Sequence, residues 1–326
     1  MSMLFWKKPV FMQRMLAFMA AAMLWAIGNS AHAQQSTQLR IGYQKSASLF
    51  VLQRAQGSLE QKLQPLGVQV KWVEFPAGPQ LLEGLNVGAI DVGFVGEAPP
   101  IFAQAAGAQF VYIGYDPAAP HAEAILVPKD SPIRSVADLK GRKVAFGKGS
   151  SAHNVTIKAL AAAGLKPSDI TQVFLSPADA TAAFNGGNVD AWVVWDPYFA
   201  IAQQRYGARA LVDTITQPSL ASSSYYMANR DFAQKQGALL AEILKTLQQT
   251  THWASANRDE LVQLASQDTG MDPEVWRTAY GRANLDLQPI STAHVAQQQQ
   301  LADSFHALGI IPRKLQVQEI VWNWQV

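Results

Sequence analysis

Apolar residues along this chain fall into short alternating runs and longer four-residue repeats, one after the other. Leu39, Ile41 and Tyr43 alternate with Arg40 and Gly42, which predicts a strand over 39–43. Val51, Ala55, Leu59 and Leu63 recur every four residues, so a helix follows. Strands are predicted at 68–73, 90–95, 110–115 and 124–127, with helices at 81–87 and from Pro99-Pro100, where proline suits the first helical turn. The same grammar restarts near Val136. A short helix at 136–141 precedes strands at 143–146, 170–175 and 189–195, with helices at 154–163, 178–184 and 197–206 between or after them. A returning strand is predicted at 222–228. From Asp231 onward the pattern is helical, over about 231–253, 257–268, 273–281, 292–308 and 316–323. Alternating strands and helices of this kind predict an α/β fold with mainly parallel sheets.

One internal echo stands out. Leu85-Asn86-Val-Gly88-Ala-Ile90-Asp91-Val92 matches Phe184-Asn185-Gly-Gly187-Asn-Val189-Asp190-Ala191. Each segment ends a helix at Asn-x-Gly and opens a strand with an aliphatic residue and Asp. The repeat predicts two lobes of like topology.

The first 33 residues read as a secretory signal peptide. Lys7, Lys8 and Arg14 precede an apolar run from Met15 to Ile27, and Ala31-His32-Ala33 is a small-x-small cleavage site. The run is too short to span a bilayer with ease. A periplasmic protein without a membrane anchor is therefore expected. Cleavage turns a formal charge of +2 into a slight negative balance, since 23 of the 26 basic residues then face 24 acids. No basic field remains to attract nucleic acid. The chain has no Cys, which excludes disulfides, thiolate metal sites and a cysteine nucleophile.

Four loops lie between a strand end and a helix start, where ligands of open α/β sheets bind. They carry Gln44, Gly78 and Pro79, Gly96 and Glu97, and Gly147-Lys-Gly-Ser150-Ser151-Ala-His153-Asn154. The last is the strongest. Free amides and the positive end of a helix receive an anion, and serines add neutral donors. N-capping alone also accounts for the serines. Trp192 is expected in the core. Trp195 and Asp196, at the end of the same strand, are expected at the cleft. No P-loop, Gly-x-Gly-x-x-Gly, Gly-x-Ser-x-Gly or His-Glu-x-x-His occurs, so no cofactor, metal or catalytic residue is expected. A secreted hydrolase using Ser150 or Ser151 with His153 is the competing reading, though adjacency in sequence does not make a triad.

The segments Arg40-Ile-Gly-Tyr-Gln-Lys45, Trp72-Val-Glu-Phe-Pro-Ala-Gly-Pro-Gln80, Val136-Ala-Asp-Leu-Lys-Gly141 and Val193-Val-Trp-Asp-Pro-Tyr198 resemble the periplasmic aliphatic sulfonate-binding proteins. The resemblance implies a two-lobed type II periplasmic binding protein with a ligand cleft and two hinge crossings. Lobe 1 would comprise 34–125 and 220–326, and lobe 2 would comprise 126–219. It also implies a monomer that delivers alkanesulfonates to an ABC importer, with its permease and cytoplasmic ATPase, for sulfur supply. The ligand residues it implies are Gln44, Gly78, Pro79, Gly96, Glu97, Ser150, Ser151, His153, Asn154, Trp195 and Asp196. Taurine or another small anion such as nitrate is the alternative ligand.

Overall fold

The computed structural model describes residues 37–323 except 47, 120, 121 and 215; the signal-peptide reading lies outside the described residues. Ten strands form two five-stranded sheets. The first contains β1 (Thr37–Tyr43), β2 (Val68–Glu74), β3 (Val92–Gly96), β4 (Phe110–Asp116) and β10 (Ser224–Asn229), in the order β2-β1-β3-β10-β4. The second contains β5 (Glu123–Val127), β6 (Lys143–Phe146), β7 (Thr171–Phe174), β8 (Ala191–Trp195) and β9 (Arg209–Asp213), in the order β7-β6-β8-β5-β9. The two orders correspond position by position. In each, the fourth strand is antiparallel to both neighbours: β10 to β3 and β4, β5 to β8 and β9. The chain passes from the first sheet to the second between β4 and β5 and returns between β9 and β10. Glu123, Ala124 and Ile125 therefore pair in the second sheet.

Twelve helices complete the described chain: α1 (Leu49–Gln56), α2 (Ser58–Leu63), α3 (Gly78–Asn86), α4 (Ala98–Ala105), α5 (Ser151–Ala162), α6 (Pro177–Asn185), α7 (Tyr198–Tyr206), α8 (Arg230–Lys235), α9 (Gly237–Ala256), α10 (Arg258–Thr269), α11 (Pro273–Arg282) and α12 (Thr292–Ala307). Both faces of each sheet are covered, as the period of two along the strands requires. In β10, Tyr226 and Ala228 join one apolar layer with α1, α9, α10 and α11, while Tyr225 and Met227 join another with α3, α4 and α12. In β8, Ala191 and Val193 pack toward α5, and Trp192 and Val194 toward α6 and α7.

The echo at 85–92 and 184–191 marks equivalent joints. Asp91 Oδ2 accepts the Arg40 amide at 2.7 Å, fixing β3 beside β1. Asp190 Oδ2 accepts the Lys143 amide at 2.7 Å, fixing β8 beside β6.

Several expectations differ in detail. The helix expected over 51–63 breaks at Gly57, whose φ of 62° ends α1. The helix expected over 231–253 divides at Gln236 into α8 and α9. The segments at 136–139 and 317–320 are single 3₁₀ turns. The edge strand β9 carries only half-buried residues, so it lacks the alternation that reveals a strand.

Candidate ligand-binding site

The carboxyl ends of β1, β3, β4 and β8 and the starts of β5 and β10 converge on one cleft. Antiparallel pairing brings the two starts to this edge: Ser224 pairs with Gly96 and Asp116, and Glu123 with Trp195. The cleft holds about 100 Å³. Drug-sized pockets run roughly 300–1,000 Å³, so the occupant is a small solute.

Among the expected ligand residues, Gln44, Gly78, Gly96, Ser150, Ser151, Trp195 and Asp196 line it. Gln44 is oriented by donating its amide to Phe94 O at 2.9 Å. Ser150 is the extended N-cap of α5, and its Oγ donates to Gly147 O at 2.7 Å. Its proton is thus committed to the loop, and the Ser151 hydroxyl is directed to Glu123, so the free donors at this corner are the first-turn amides of α5. Gly96 approaches closely, because a Cβ there would lie 3.0 Å from Ser151 Cβ. Gly78 lets its loop touch α4, since a Cβ would lie 2.7 Å from Pro99 Cγ.

The other four expected residues stand around the cleft and do not line it. Pro79 packs across toward Gly149. His153 is sandwiched by Phe102 and Phe146, with ring centroids 5.7 and 5.1 Å away, and its Nδ1 accepts the Gly149 amide at 3.2 Å. Burial lowers its pKa to about 4, with Lys148 adding to the effect, so it is a neutral brace for the loop. The Ser150 hydroxyl and the His153 imidazole are each engaged elsewhere and do not form the hydrolase pair. Asn154 Nδ2 donates to Glu97 Oε1. Lys158 Nζ reaches the same oxygen at 3.3 Å, and the Ser223 amide donates to Glu97 Oε2 at 3.2 Å. Glu97 therefore joins β3, α5 and the segment before β10.

Sequence reasoning missed two carboxyl groups in the lining, Asp116 and Glu123. Burial raises Asp116 to about 8, against the favourable Asp286 amide at 3.2 Å. Burial raises Glu123 to about 7; Ser151, Ser222 and Lys158 oppose the shift, and Glu97 adds to it. Asp196 is pushed up to about 6 by burial, tempered by Arg282 at 3.2 Å and the Ala200 amide at 3.0 Å. Asp116 had a signal, since it ends a strand that runs in the same direction as β3. Glu123 and Ser224 begin strands and become visible only once the antiparallel pairing is known.

The NMT1-like family profile matches residues 32–266. A protein of Escherichia coli (strain K12) described as an aliphatic sulfonates-binding protein is 43% identical over 308 residues, covering 94% of this chain and 95% of the relative. The structure of the alkanesulfonate-binding protein SsuA from Xanthomonas axonopodis pv. citri, bound to MOPS, is 42% identical with a TM-score of 0.83, covering 88% of this chain and 98% of that one. That of the periplasmic aliphatic sulphonate binding protein SsuA from Escherichia coli is 44% identical with a TM-score of 0.77, covering 88% and 97%. Two α/β sheets flanking one cleft, with this degree of likeness along nearly the whole described chain, place the protein: it belongs to the NMT1-like family, among the periplasmic binding proteins for aliphatic sulfonates.

Proposed function

We propose that the protein is the periplasmic substrate-binding component of an ABC importer for aliphatic sulfonates, and that it transforms nothing. The observation that carries this reading is the meeting of the α5 N-terminus, the Ser151 hydroxyl and the Gln44 amide with Trp195 in one small cleft. Neutral donors suit an anion that stays charged at every physiological pH, and an aromatic wall suits a short alkyl tail. Each sheet with its helices forms one lobe. In this reading the division expected at 125 and 220 is drawn before β5 and before β10 instead, which the pairing of β5 with β8 and β9 supports. Closure brings the two lobes together as a hinge motion, and the closed monomer presents both to the permease.

Titration calorimetry with ethanesulfonate, taurine, sulfate and nitrate, in a buffer free of sulfonates, tests the reading. Ethanesulfonate is expected to bind at least tenfold more tightly than the other three. Preference for taurine or nitrate, or turnover of an ester by the pure protein, overturns it.

A further inference from the structure

The lining of the cleft poses an electrostatic problem for an anionic solute. Among the described residues that form it there is no Lys, Arg or His, yet Asp116, Glu123 and Asp196 all take part. Like charges in van der Waals contact repel strongly where water is largely excluded. An ionised carboxylate beside a sulfonate would therefore cancel much of what neutral donors supply.

Asp196 has a partner in Arg282, and Asp116 accepts a backbone amide. Glu123 differs. It is 7% exposed, and its Oε2 has no hydrogen-bond partner. The Ser222 hydroxyl faces this carboxyl and makes no other hydrogen bond. Leaving a buried oxygen unpaired is unfavourable, so Glu123 Oε2 marks a place where a ligand atom completes the bonding.

We propose that Glu123 is a specificity-determining residue that takes up a proton from solvent when ligand enters and donates it, as a neutral carboxylic acid, to a sulfonate oxygen. This rests on the sulfonate reading of the cleft. The step breaks no ligand bond; the only chemical change is protonation of one carboxylate. The charged groups facing Glu123 favour it. Glu97 repels its ionised form from the β3–α4 turn, whereas Lys158 on α5 favours that form but is already bonded to Glu97. Ser151 on α5 and Ser222 before β10 supply neutral hydroxyls, and Asp116 and Asp196 add no positive charge. With burial, these hold the free-protein carboxyl near 7, close enough to neutrality for an entering anion to tip it.

Ethanesulfonate does not titrate over the range used, so any pH dependence of its affinity reports the protein. Calorimetry in phosphate or Tris, avoiding MOPS and other sulfonate buffers, is the test. For the unaltered protein, Kd is expected to weaken about 100-fold from pH 6 to 8.5, about 30-fold of it through Glu123, with uptake of between one and two protons per ligand at pH 8. Glu123→Gln keeps an N–H donor of similar shape. It is expected to bind within about threefold of the unaltered protein at pH 6, and to weaken less than about fivefold by pH 8.5, the remainder belonging to Asp116. A flat profile in the unaltered protein, or an unchanged slope in Glu123→Gln, overturns the proposal. Taurine binding that tightens with pH and is lost in Glu123→Gln overturns it too, because Glu123 would then be a carboxylate pairing an ammonium. Failure of ethanesulfonate to bind at any pH sinks the sulfonate reading itself.

Discussion

Asp116 ends β4 with only 8% exposure, and burial lifts its carboxyl from 3.8 to about 8. Between those values the folded protein holds a proton that the unfolded chain sheds. Its contribution to stability is full below about pH 4 and is lost as pH rises through 8, at about 1.4 kcal/mol for each pH unit between the two values. His153 works in the opposite direction, but only between its unfolded value of 6.5 and about 4. Above pH 6.5 the acids therefore set the slope. The ligand-free protein is expected to lose several degrees of melting temperature from pH 6.5 to 8 in phosphate. Asp116→Asn keeps an acceptor for the Asp286 amide, and its melting temperature is expected to fall by less than half as much over that window. Scanning calorimetry checks this, and parallel slopes for the two proteins would place the titration elsewhere.

At the scale of elements, the cleft is assembled by strand direction. Periodicity located every strand except β9, and the repeated Asn-x-Gly joint with its Asp predicted two equivalent units. Those readings needed only local pattern, since Asp91 and Asp190 do the same work beside β1 and β6. The parallel-strand ends that carry Gln44, Gly96 and Trp195 were equally legible, because a ligand-bearing loop follows a strand in sequence. Glu123, Ser222 and Ser224 were not. They reach the cleft because β5 and β10 run against their neighbours, which is a fact of pairing between residues roughly 70 to 130 positions apart. Nor does sequence show which polar group spends its hydrogen bonds internally: Ser150 turns to Gly147, and Glu97 turns to Asn154 and Lys158. The end of β3 gives a prediction at this scale. Gly96→Ala sets a methyl 3.0 Å from Ser151 Cβ, tighter than ordinary contact, across the gap between β3 and α5. Ethanesulfonate affinity is expected to fall about tenfold, while the melting temperature of the ligand-free protein stays within about 2 °C, because the clash arises between elements of different sheets and not within either core. Equal affinity by calorimetry would mean that α5 gives way freely.

At the scale of the whole molecule, two ion pairs of different character among the described residues join elements of the first sheet to elements of the second. Glu97, from the first sheet's lobe, meets Lys158 at 3.3 Å and also holds Asn154 and the Ser223 amide. Arg282, at the end of α11, meets Asp196 at 3.2 Å and Gln203 at 2.7 Å, with its guanidinium 4.1 Å above the Phe199 ring. Lys158 is one-third exposed, and Glu97 keeps two other donors when it is removed. That pair contributes in the range of surface pairs, about 0–1 kcal/mol. Arg282 is more deeply set, and Asp196 is almost fully buried with one other donor, the Ala200 amide. Losing Arg282 leaves a buried carboxylate that must take a proton or draw in water. The protonation route limits the cost, because burial already holds Asp196 near 6 and raising it by one more pH unit is worth about 1.4 kcal/mol. Both pairs join elements of different sheets across the ligand cleft, so their loss is expected to appear in ligand affinity. Arg282→Met is expected to weaken ethanesulfonate binding about tenfold at pH 7.5 and less at pH 5.5, where Asp196 is protonated at little cost. Lys158→Met is expected to weaken it no more than about threefold at either pH. Calorimetry on both variants decides the matter. Equal losses would make the two contacts interchangeable, and an Arg282→Met loss that does not shrink in acid would show that Asp196 stays ionised when the lobes meet.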